Sequence, residues 1–217
     1  MKTVCTRFSL NPLVCLLLLF LLGCVSKTPK WSGFLADYGD LQADPNIKGL
    51  YVYRKPLKSA EQLPAKYTRF FIDPVIVYLH PDSLGRGIDP GELKFLTEYF
   101  RQELIGALKK SHVVSDIPGP DVVRIRVAIT GVKATKPRLS YHPADTALSL
   151  DEASIEVEFL DSKTADRLLA LVDSRQHSGG IDLQRRLMKK RAKAVIQKWV
   201  KLIRAQLDEA FEVKESK

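Results

Sequence analysis

Cysteine is scarce. Three in 217 residues cannot build a disulfide-dense scaffold. Self-similarity at 20–50 residues is missing, which argues against a solenoid. HExxH, GxSxG, a Walker loop and GxGxxG are all absent, so no common catalytic or nucleotide motif is present. Long hydrophobic stretches are lacking too, apart from one run of ten, Leu13 to Leu22. Ten residues cannot cross about 30 Å of hydrocarbon. What is present is an ordinary hydrophobic share of 45%, which excludes wholesale disorder, and a net charge of +9. The length suits one domain, or one domain with a tether.

The apolar run sits behind Lys2 and Arg7 and ends at Gly23-Cys24, after which polar chain begins. A basic leader followed by a short apolar core is the pattern of an export signal. Leu21-Leu22-Gly23-Cys24 resembles the lipobox of bacterial lipoproteins. The resemblance implies cleavage between Gly23 and Cys24, a diacylglyceryl thioether on Cys24 and an acylated new amino group. Cysteine suits the role because a thiolate is readily alkylated near neutral pH. An ordinary secretory signal with an incidental cysteine is the alternative. Cys5 and Cys15 fall in the leader, so the mature chain keeps only Cys24 and has no thiol catalysis or cysteine metal site. One acyl chain binds a bilayer marginally, and three would hold the domain essentially permanently. Val25 in the position after the cysteine resembles outer-membrane rather than inner-membrane sorting.

Four segments follow: a signal peptide at 1–23, a lipidated tether and extended arm at 24–66, an α/β globular domain at 67–213, and a tail at 214–217. The arm is rich in proline and glycine. Its Trp31, Phe34, Leu35, Tyr38, Leu41, Tyr51 and Tyr53 need burial, so it is expected to lie on the domain. Phe70 to Leu79 reads as a strand with Pro74 at an edge or bulge. Asp89-Pro90-Gly91-Glu92 starts a helix running to about Lys110, with Leu93, Leu96, Phe100, Leu104 and Ala107 on one face. A short strand near Val113 precedes the Pro118-Gly119-Pro120 turn. Val122 to Val132 alternates cleanly, and residues 134–150 read as a loop. Ala153 to Leu160 and Leu168 to Arg175 are further strands, and a helix runs from about Asp182 to Phe211. The fold expected is α/β (α+β): a two-layer sandwich, mainly antiparallel sheet with two helices on one face, in the order β-α-β-β-β-β-α. Arg124 and Arg126 on one strand and Glu156 and Glu158 on another predict a wet outer face with complementary charges. On that pairing, swapping Arg124 and Glu156 together restores what either swap loses.

The C-terminal helix holds the basicity. Between residues 182 and 204, nine basic side chains oppose Asp182 alone. Arg186, Lys190, Lys193, Lys201 and Arg204 form one stripe; Ala192, Ile196, Trp199, Ile203 and Leu207 form another. The basic stripe is either a solvated face or a contact for an anionic surface. His80, His112, His142 and His177 lack metal-ligand spacing. Asp161, Ser162, Thr164 and Asp166 resemble a calcium loop only superficially, because Lys163 replaces a ligand and the glycine is missing. Asp151/Glu152 as a catalytic pair cannot be told from a strand start.

Ser32-Gly33-Phe34-Leu35 with Asp37-Tyr38 and Leu41 opens a spaced set of motifs. Asp73-Pro74-Val75, Pro118-Gly119-Pro120 with Arg124, Arg126 and Ala128-Ile129-Thr130, and Glu156-Val157-Glu158 with Asp161 follow. Thr164, Arg167-Leu168, Asp173 and Trp199 complete it. The whole set resembles the bacterial lipoprotein family known as domain of unknown function 3313. That family usually has Gly after the turn threonine, where this chain has Ala165. The resemblance implies an exported lipoprotein and brings no activity, catalytic residue or cofactor.

These readings lead to a membrane-anchored envelope lipoprotein: a non-enzymatic binding or structural module, palmitate-bearing, on the outer membrane and facing the periplasm. No catalytic residue, metal or cofactor is expected. Expected partners are the membrane, through Cys24, and an envelope protein or polymer, not nucleic acid. The alternative is an anionic glycolipid or small-ligand binding protein using the basic helix.

Overall fold

The computed structural model describes residues 31–56, 63–83, 88–135, 147–175 and 185–211. Gly23, Cys24, His142 and His177 lie outside the described residues, as does the side chain of Arg186. Two compact units divide the chain, Met1–Lys30 and Trp31–Lys217.

The second unit is a mixed α+β domain built on a nine-stranded open sheet with two long helices. In chain order the elements are β1 (Gln42–Ala43), β2 (Leu50–Arg54), a short α1 (Leu63–Lys66), β3 (Arg69–Ile72), β4 (Ile76–Leu79), α2 (Pro90–Leu108), β5 (Val113–Val114), β6 (Val122–Thr135), β7 (Ala147–Ser149), β8 (Ser154–Asp161), β9 (Arg167–Asp173) and α3 (Arg185–Phe211). The sheet runs β1-β2-β9-β8-β6-β3-β5, with β4 and β7 also on β6. Five pairings are antiparallel; the three parallel ones, β3/β5, β3/β6 and β4/β6, flank the α2 crossover.

Local chemistry explains the elements. Asp89 caps α2 by accepting the Gly91 N–H at 2.8 Å, and Pro90 occupies the first helical position. Leu96, Phe100, Leu104 and Leu108 of α2 and Ile196, Trp199, Ile203 and Leu207 of α3 are buried at the sheet. Beneath them, Val123, Ile125, Val127 and Ile129 of β6 interleave with Ile155, Val157 and Phe159 of β8 and Leu169 and Leu171 of β9. Both helices therefore pack on one face.

Three departures from the sequence reading have physical causes. Phe70 to Leu79 is two strands, because Pro74 has no N–H to continue the ladder; both strands remain parallel to β6. The segment after residue 132 is not all loop: β6 continues to Thr135 and pairs with β7. Its face alternation is reset at Gly131, whose φ of +69° lets Ile129 and Val132 both reach the core. Part of the arm is sheet: β2 lies against β9 with Leu50 and Val52 buried beneath the helices.

The charged pairs also differ from expectation. Arg126 does face Glu158 across β6/β8, at 2.7 Å. Arg124 instead sits opposite Leu160 and forks onto Asp73, and Glu156 sits opposite Ala128. The Arg124/Glu156 pairing is thus four residues out of register. Around Glu156 and Glu158, each 1% exposed, the face carrying these residues is not wet, whereas Arg124 stays exposed.

The β8–β9 hairpin turns on Asp161. Burial alone would raise its carboxyl pKa. The Lys66 ammonium, the Thr164 N–H, the Tyr67 hydroxyl and the Lys163 N–H outweigh that and hold it well below the usual carboxylate range. These protein donors take up the oxygens that a calcium reading would need. Ala165 in the same turn has φ +61°, the conformation glycine favours.

Two outcomes are expected. Ala165→Gly should stabilise the fold by about 0.5–1 kcal/mol, read as a higher urea midpoint, because relief of left-handed strain of about 1–2 kcal/mol exceeds the added unfolded-state entropy of about 0.4–1 kcal/mol. Asp161→Asn should lose about 1–3 kcal/mol at pH 7. A depressed folded-state pKa stabilises above the unfolded value of about 3.9 and is lost as pH falls further. The gap between wild type and Asn in pH-dependent denaturation should therefore narrow below about pH 4.

Candidate functional site

The sheet face opposite the helices carries a second apolar cluster. Ala128 of β6 and Ala170 and Val172 of β9 form its floor, and Phe34 and Leu35 of the arm close over it. Small residues on the floor let the arm backbone approach. Trp31 stacks on Tyr38 at 4.9 Å and meets Tyr51 edge-on at 5.4 Å.

Two buried carboxylates hold the arm there. Glu156 accepts the Ser32 N–H at 3.0 Å and the Tyr38 hydroxyl at 2.5 Å. Glu158 accepts the Ala36 N–H at 3.1 Å and the Arg126 guanidinium at 2.7 Å. Arg126 also lies 4.8 Å from the Phe34 ring. The Tyr38 oxygen in turn accepts the N–H groups of Gly33 and Leu35, at 2.9 and 3.1 Å. Burial, then the bond to Glu156, pushes the Tyr38 pKa up, so the phenol keeps the proton it donates. Gly33 adopts φ +84° to bring these donors together. At the far end of the loop, Arg167 of β9 donates to the Asp37 carbonyl and Asp40 carboxylate while lying 4.4 Å from the Tyr53 ring. The arm motif and the Glu156-Val157-Glu158 motif, far apart in sequence, are the two halves of one contact. Period-two alternation on β8 was the signal that put both glutamates on one face; it could not reveal that the arm supplies their partners.

The basic stripe is not one uniform face. Lys190 and Lys201 are exposed. Lys193 lies over the Tyr99 and Phe95 rings, at 4.9 and 5.6 Å from their centroids. Arg204 turns inward: it grips Asp208 at 2.7 Å and donates to the Ala107 carbonyl at the end of α2 and to the Ser111 hydroxyl. Lys198, which lies outside the expected stripe, is exposed beside it.

The remaining candidates are dispersed. His80 accepts the Asp82 N–H, and His112 packs on Phe70 with Asp208 at 3.4 Å. Asp151 binds Arg191 and Glu152 binds Lys133, so the two acids point to separate partners. Among the described residues, no group of three His, Cys, Asp or Glu side chains converges as a metal site, and no helix is long and apolar enough to cross a membrane.

Residues 30–203 match the family model described as "Protein of unknown function (DUF3313)". The chain belongs to this family. It is 30% identical over 128 residues to the uncharacterized lipoprotein YdcL of Escherichia coli K12, and equally to that of strain O157:H7. The match takes in 58% of this chain and 56% of those proteins, so it spans little more than half of each relative. Among solved structures, a putative neuraminyllactose-binding hemagglutinin homolog from Helicobacter pylori gives a TM-score of 0.47 at 12% identity, over 73% of this chain and 91% of that one. A PelC dodecamer from Paraburkholderia phytofirmans gives 0.32 at 11%, over 72% and 96%.

Glu156→Ala should strip the Tyr38 hydroxyl and Ser32 N–H of their acceptor. A loss of about 1.5–3 kcal/mol is expected. Amide exchange of residues 32–38 should accelerate far more than that of α2. Uniform acceleration would mean that the glutamate supports the whole sheet and not the arm.

Proposed function

We propose that the protein is a membrane-anchored lipoprotein of the bacterial envelope whose domain is a non-enzymatic binding or structural module. The observation that carries the reading is the docking of the arm by Glu156 and Glu158. A chain that only linked an anchor to a domain would have no use for two buried carboxylates. Here the segment that begins seven residues after Cys24 is docked on the sheet face. The lipobox, the family and the lipoprotein relatives support the anchor. The signal is cut between Gly23 and Cys24, and Cys24 carries the diacylglyceryl group and an amide-linked acyl chain such as palmitate. Val25 favours the outer membrane, with the domain facing the periplasm. The dispersed acids and histidines favour binding over catalysis.

Cys24→Ser tests the anchor. Labelling by an alkyne palmitate analogue should vanish and the precursor should persist with its leader. Labelling that survives the substitution would refute the anchor.

A further inference from the structure

We propose that the outer face of α3 binds a linear polyanion of the envelope, with Lys190, Lys193, Lys198 and Lys201 as the contacting cations. All four are exposed. They span twelve residues, about 17 Å of helix, within an arc of about 140°. The basic residues beside them are already paired: Lys189 with Glu92 at 2.9 Å, Arg191 with Asp151 at 3.2 Å, Arg204 with Asp208 at 2.7 Å. Among the described residues, none of the four has such a carboxylate partner. Lys193 is steadied over Tyr99. The helix layer also concentrates the charge. Residues 90–110 and 185–211 carry a basic excess of eight, while the whole chain from Cys24 carries an excess of seven. The rest of the mature chain is therefore almost neutral.

One observation favours a polymer over a lipid surface. The apolar stripe of α3 is buried against the sheet, so little remains to insert among acyl chains.

The test uses the full native protein in neutral detergent and fluorescent long-chain inorganic polyphosphate, read by anisotropy across a salt series. Changing the four lysines to Gln should weaken binding at least tenfold and flatten the log–log salt slope by roughly 3, at about 0.7 per neutralised charge. Changing all four to Arg should leave binding near native, and a triple Gln variant that keeps Lys193 should weaken in proportion, separating charge from packing on Tyr99. A control of equal net charge away from the helix layer, with Lys48, Lys55, Lys133 and Lys163 changed to Gln, should bind within threefold of native. Equal losses in the control and the four-lysine variant would overturn the site, since net charge alone would explain them. Phosphatidylglycerol micelles competing as well as unlabelled polyphosphate would overturn the polymer and leave a headgroup surface. Binding is read without any need for lipidation, so failure of the anchor would leave this result standing.

Discussion

A carboxylate buried beside apolar side chains must be matched by donors, and Glu156 and Glu158 take most of theirs from the chain at Ser32, Ala36 and Tyr38. An unmatched buried carboxylate costs several kcal/mol, so the arm and the sheet are mutually dependent. The sheet face without its arm would present two acids and an alanine-rich floor to water. The arm without the sheet would leave the Ser32 and Ala36 N–H groups and the Tyr38 hydroxyl without their acceptors. Arg126 completes the match by balancing one charge and covering the Phe34 ring. Directional bonds also fix which arm residue meets which strand residue, a specificity that Phe34 and Leu35 alone would not impose.

Elements whose cause is local were legible in the sequence. The α2 cap, the two apolar helix stripes and the alternation of β6 and β8 depend on neighbours within a few residues, and all recur in the structure. What escaped the reading was non-local. Whether Arg124 meets Glu156 or Asp73 depends on the β6/β8 register and on the path of the chain around Pro74. Alternation alone assigns a face, not a partner. β2 was hidden because five residues between proline- and glycine-rich segments carry too little pattern, although its Leu50/Val52 and Tyr51/Tyr53 alternation is regular. Arg204 shared a helical stripe with exposed lysines, yet its longer reach finds the end of α2 and Asp208.

The two faces of the sheet carry different chemistry for a physical reason. Large branched and aromatic residues project toward α2 and α3, because helices pack about 10 Å away and need volume to fill the gap. Ala128 and Ala170 project the other way, where a single extended chain lies closer and is held by hydrogen bonds to its backbone. The helix-side contact is apolar and non-directional; the arm-side contact is polar and directional.

That division bears on how force and charge are distributed. A pull on the chain at Trp31 acts first on the bonds to Glu156 and the Trp31–Tyr38 stack, and reaches the helical core through β8 and through β2, whose Leu50 and Val52 lie beneath the helices. The sheet insulates the helix layer from the docked residues 32–38. The excess positive charge lies on that insulated side, where ion pairs to Glu92, Asp151 and Asp208 use the inward cations and leave the outward lysines hydrated. Like charges four or fewer residues apart repel, so a helix bearing Lys190, Lys193, Lys198 and Lys201 gives up a few tenths of a kcal/mol per close pair. The buried stripe around Trp199 easily offsets that loss. The fold therefore tolerates a cationic surface on a helix held by its buried stripe, on the side of the sheet opposite the docked arm.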